Sequence, residues 1–189
     1  FAPPPPAEEF RMIGPLRVAI PLFNIYLNEA DEQSRRLGAE LGEWAHDPSH
    51  PVTDTAIALA HSLAGNSATV GFADLSHLAR LLEHALMRSQ AIGASDAGEA
   101  RLFNDAADEI RALLHQFAAG FLKSPTHELI ARLVDHERVA AERLHEQSVR
   151  GELRDSSADS AAMALDTPPA AAAQAFIAGQ NDAAMTYEP

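Results

Sequence analysis

Between Leu22 and Gln147, apolar residues recur every three to four positions in five stretches, and proline or glycine stops most of them. A period near 3.6 collects such residues on one face of an α-helix, whereas a strand would alternate them. The first stretch runs from about Leu22 to Ala45, with Leu37, Leu41, Trp44 and Ala45 on one stripe, and HDPSHP ends it. The second covers about Thr53 to Thr69, with Thr53 or Asp54 as N-cap and Gly71 closing it. The third spans about Ala73 to Ile92, turns Leu75, Leu78, Ala79, Leu82 and Leu86 inward, and closes at Gly93. The fourth runs from about Ala97 to Leu122, with Phe103, Ala106, Ile110, Leu113, Leu114, Phe117 and Phe121 inward. Ser124 and Pro125 separate it from a fifth, about Thr126 to Gln147. No stretch has the β-branched density of a strand. Long amphipathic helices joined by short loops predict an all-α fold, an antiparallel four-helix bundle with an additional C-terminal helix.

The flanks read differently. Residues 1–9 are proline-rich and extended, and residues 10–21, with Gly14, Pro15 and Pro21, read as an irregular lead-in. Pro21 suits the first turn of a helix. The expected divisions are therefore 1–21 lead-in, 22–122 bundle, 123–150 additional helix and 151–189 flexible linker rich in Ala, Ser and Pro. A transient helical turn is expected near Ala170–Ile177. A chain of 189 residues that starts without methionine and has linker-like flanks suggests a module of a longer protein.

Composition narrows the function. A net charge of −13 argues against a broad attraction to nucleic acid or anionic lipid. The absence of cysteine excludes disulfides and thiolate metal sites and fits a cytoplasmic location. No apolar run approaches the roughly 20 residues that span a bilayer, so membrane insertion is not expected.

One histidine stands out, in ALAHSLAGNSATVG (58–71). At about 100° per residue, Val52, Leu59, Leu63 and Val70 lie on the far side of the second helix from His61. Its neighbours on the helix surface are Ile57, Ala64, Gly65 and Ala68, three of them Ala or Gly. Glycine inside a helix costs roughly 1 kcal/mol relative to alanine. Gly65 therefore implies either access to the ring or close packing of another helix. An imidazole with an unperturbed pKa of about 6.5 is a nucleophile near neutral pH. It can accept a phosphoryl group and release it again.

These residues resemble the histidine phosphotransfer (HPt) family, whose motif is roughly H-x-[LI]-K-G-x-[AS]-x-x-[LFV]-G. His61, Leu63, Gly65, Ser67, Val70 and Gly71 match, and Ala64 stands where the motif has lysine. In similar chemotaxis-kinase domains a glutamate 22 positions on hydrogen-bonds the phosphorylated ring, and Glu83 holds that position here. The stretch LFNIYLNEADEQSRRLGAEL also resembles the family's first helix, and the fifth helix is similar to one that chemotaxis-type domains add. The stretch also resembles modules of the CheA-like hybrid kinases that control type IV pili and twitching.

The resemblance implies a bundle of HPt type and a phosphorelay function. His61 would be the phosphoacceptor, Glu83 would orient its imidazole, and Gly65 would give steric access. No glycine-rich phosphate loop or Walker lysine appears. The segment is therefore expected to hold no cofactor, with ATP and Mg²⁺ supplied by partner domains. The implied partners are a response-regulator receiver domain and the kinase catalytic domain of the same parent chain. The absent lysine leaves a second possibility, a degenerate bundle used only for docking or dimerisation.

Other histidines have surface readings. Glu43-Trp-Ala-His46 and Glu142-Arg-Leu-His145 imitate the Glu-x-x-His of di-metal bundles, but helical angles turn Glu43, His46 and Glu142 outward and leave His145 at an edge. His77 and His84 share an outer face of the third helix, and His46 and His50 flank a turn. Glu137 is anomalous, since it falls on the apolar stripe of the fifth helix.

Overall fold

The computed structural model describes residues 2 and 7–165. They form a β-hairpin followed by five helices: β1 (Phe10–Ile13), β2 (Leu16–Ala19), α1 (Ile20–Trp44), α2 (Asp54–Thr69), α3 (Ala73–Ile92), α4 (Ala97–Ala118) and α5 (His127–Leu165). The chain divides into two compact units, Phe1–His145 and Glu146–Pro189. The expected turn near Ala170–Ile177 lies outside the described residues.

Each helix begins and ends for a local reason. Pro21 occupies the first turn of α1, where no intrahelical partner is needed for its missing N–H. Thr53 caps α2 by accepting the Ala56 N–H. Asp96 and Glu99 form a reciprocal capping box at the start of α4. Gly93 ends α3 in the left-handed conformation that side chains disfavour.

Side-chain bonds fix the packing direction. Asn104 of α4 reaches the Leu41 carbonyl of α1, and Tyr26 of α1 bonds Ser67 of α2. Gln90 of α3 donates to the Val52 carbonyl beside the start of α2, while Ser76 of α3 donates to the Ala64 carbonyl. Residue numbers rise on one helix as they fall on the next, so α1 to α4 make an antiparallel bundle. Phe117 centres one end of its core, stacked on Phe23 and Phe72 with Tyr26 edge-on. Trp44 stacks on Phe103 towards the other end and donates its indole N–H to the His50 carbonyl.

Three sequence expectations require correction. Residues 10–19 are a hairpin, not an irregular lead-in. Its strands are only four residues each, and Gly14 supplies the positive φ of 57° that a two-residue turn demands. The hairpin closes one end of the bundle by burying Ile13 and Val18 and by donating from Arg11 to the Ala118 carbonyl. α4 ends at Ala118, because Gly120 turns left-handed, and Phe121 is exposed rather than inward. Residues 151–165 continue α5 instead of starting a linker. Alanine there favours a helix even without a core to pack on, and residues 146–163 are exposed throughout.

Candidate functional site

Leu59, Leu63 and Ser67 anchor the core side of α2, and Ser67 is held by the buried Tyr26 hydroxyl at 2.9 Å. Burial pushes the Tyr26 phenol up to about 12, so the pair stays neutral. Asn66 reaches Glu29 and Gln33 on α1. With α2 fixed in rotation, His61 emerges on the outer face at its border with α3.

The His61 Nδ1 lies 2.8 Å from Oε1 of Glu83. A carboxylate only accepts, so Nδ1 carries the hydrogen, and in the neutral imidazole Nε2 keeps its lone pair. The two partners differ sharply in exposure: the His61 side chain is 68% accessible and that of Glu83 only 11%. The carboxylate is thus embedded in the α2–α3 seam while the ring it holds projects into solvent. Glu83 Oε2 is buried without a hydrogen-bond partner. The ring is therefore the only hydrogen-bonding partner of this carboxylate among the described residues.

The collar around the ring is partly as expected. Gly65 and Ala68 are exposed and Ile57 is half-buried, but Ala64 is fully buried. It lies on the core-ward flank of α2, where Ser76 packs over its carbonyl. A Cβ built on Gly65 would meet nothing within 4 Å, so no helix packs against that glycine. Close helix packing, the other explanation for Gly65, is absent.

A second histidine–carboxylate pair escaped the sequence reading. His136 of α5 donates from Nε2 to Glu99 Oε1 of α4 at 2.7 Å, with side-chain accessibilities of only 8% and 11%. The ring packs edge-on against Phe103, and its Nδ1 is buried without a partner. Next to it, Glu137 accepts from Arg88 Nε of α3 at 3.1 Å. That bond explains a carboxylate on an apolar stripe: Glu137 meets a basic side chain across the interface. The only hint of this polar clip in the sequence was Glu137 itself. The remaining candidates sit apart from both pairs. Glu43, His46, Glu142, His145, His77, His84 and His50 are all exposed. Among the described residues, no three His, Cys, Asp or Glu side chains converge as a metal cage.

A seated bundle with one projecting imidazole on a buried carboxylate defines a histidine-presenting helical module. The chain belongs to the Hpt domain family, whose model matches residues 21–120. Membership makes it a histidine phosphotransfer domain of the phosphorelay type. No curated protein matches the chain. Among the described residues, no helix is long and apolar enough to cross a membrane.

Proposed function

We propose that His61 is the phosphoacceptor of this domain and relays the phosphoryl group to or from a receiver-domain aspartate. The observation that carries this reading is the solvent-exposed ring held through Nδ1 by a buried carboxylate. The Nε2 lone pair forms the P–N bond as the P–O bond to the donor breaks, and that electron pair leaves on the donor oxygen. The ring becomes cationic, and the Glu83 carboxylate balances it through the retained Nδ1–H. Return transfer reverses these steps, so no proton has to leave the site. Gly65 keeps the approach clear for a protein surface. ATP and Mg²⁺ belong to the partner domains, where the metal neutralises phosphoryl charge. The likeness to CheA-like hybrid kinases supports a cytoplasmic chemosensory parent chain of the type IV pilus class, whose catalytic domain phosphorylates His61.

The test is acid-labile, base-stable labelling with radioactive phosphate, from ATP plus the parent kinase core or from a phosphorylated receiver. Wild type is expected to label and His61→Gln to remain blank. A folded wild-type domain that labels with neither donor would instead support the docking-only module.

A further inference from the structure

The missing motif lysine leaves the incoming phosphoryl group, with a charge near −2, without a cation on α2. Ala64, at the lysine position, is fully buried. A counter-charge from this domain has to come from another element. We infer that Arg80 of α3 supplies it, contacting the phosphoryl oxygens on His61; this rests on His61 being the phosphoacceptor.

Three bonds set the register of the α2–α3 seam. Gln90 meets Asp54, Glu83 meets His61, and Ser76 meets Ala64. Arg80 falls between the last two levels, three residues or about 4.5 Å along α3 from Glu83. It therefore lies across the seam from the turn of α2 that holds Ala64. Around the α3 axis, Glu83, Ser76 and Gln90 mark the direction of α2, whereas Leu78, Leu82 and Leu86 point into the core. Arg80 sits about 60° from Glu83 on the side away from that core. It thus stands on the solvent lip of the same seam from which His61 projects, and it is exposed.

Its charge is uncommitted. Among the described residues Arg80 has no ion-pair partner, whereas Arg35, Arg88, Arg132, Arg138 and Arg143 each lie within 4.0 Å of a carboxylate. α3 has two acidic residues. Glu83 is occupied by His61, and Asp74 accepts from Ser124. The side chain leaves α3 tilted towards its N-terminus, away from the His61 level. A long, unpaired arginine can swing back along the seam once a phosphoryl dianion gives it a reason to. Guanidinium also matches phosphoryl oxygens with two parallel donors, which a lysine at position 64 would not.

The experiment uses phosphoramidate, a small donor that needs no partner protein. His61 Nε2 attacks phosphorus, the P–N bond of the donor breaks, and its electron pair leaves on ammonia. Arg80→Ala is expected to slow labelling about ten-fold and to flatten the dependence of the rate on salt. Arg80→Lys should recover part of the rate, since an ammonium keeps the charge but loses the paired donors. The phosphorus-31 resonance of phospho-His61 should also move in Arg80→Ala, which a purely structural role would not cause. His84→Gln, on the same outer face, serves as the control and should label at the wild-type rate. Arg80→Ala labelling at the wild-type rate, with an unmoved resonance, overturns the inference and leaves the role of His61 intact. A wild-type domain that never labels overturns both.

Discussion

His61–Glu83 and His136–Glu99 are the same chemical pair built to opposite ends. Each joins two helices, at 2.8 and 2.7 Å. In the first, the carboxylate is buried and the ring is 68% accessible; in the second, ring and carboxylate are both nearly buried. The attachment atom differs too. Glu83 takes Nδ1 and leaves Nε2 open, whereas Glu99 takes Nε2 and leaves Nδ1 enclosed. Glu99 also accepts the Asp96 N–H in the α4 capping box, so its carboxylate ties a helix start and a helix contact together. A histidine–carboxylate pair is thus no sign of reactivity by itself. Exposure and the identity of the free nitrogen separate the proposed phosphoacceptor from a clip.

The comparison breaks most decisively by exchange of the rings. His61→Gln should abolish labelling, while His136→Gln should retain it, as read by acid-labile phosphate on the intact protein. Next in size is the pair of carboxylate deletions. A hydrogen bond to a charged group contributes about 1.5–3 kcal/mol, so Glu83→Ala should slow phosphorylation roughly 10- to 150-fold without unfolding the bundle. Glu99→Ala should leave the rate within about two-fold but destabilise the fold by about 1–3 kcal/mol in urea melts, because it strands a buried imidazole. If the two deletions have each other's effects, the distinction fails.

Gly65→Ala sharpens the contrast from the other side. The added methyl meets open space, so the helix should gain up to roughly 1 kcal/mol. Transfer from a phosphorylated receiver should slow several-fold while labelling by phosphoramidate barely changes, since only the protein donor is crowded. The smallest effect lies where α1 meets the core face of α2. Burial holds the Tyr26 phenol near 12 against an ordinary 10, so its contribution to stability is complete below about pH 10 and is lost as pH rises towards 12. Absorbance at 295 nm in a Tyr187→Phe background should show no tyrosinate from the folded protein at pH 10.5.

The two pairs were unequally legible in the sequence. His61 could be placed on the outer face because Leu59 and Leu63 fix the inward side of α2, and a motif with fixed spacing led to Glu83. Ala64 was misplaced because the packed arc of α2 is wider than its large residues suggest, reaching Ala60 and Ala64 as well. The His136–Glu99 clip joins residues 37 positions apart in separate helices, with no spacing rule to link them. The hairpin hid behind Gly14 and Pro15, which signal a turn and a break with equal force. Alanine-rich residues beyond Gly151 hid their helix because composition favours linker and helix alike when nothing must be buried.

The most direct test is nitrogen-15 NMR of histidine side chains in the phosphorylated domain, with all nine rings labelled. The account predicts phosphorus on Nε2 of His61 alone, with Nδ1 still protonated and the His136 ring unchanged. Phosphorus on Nδ1 of His61, or on any other histidine, would contradict it.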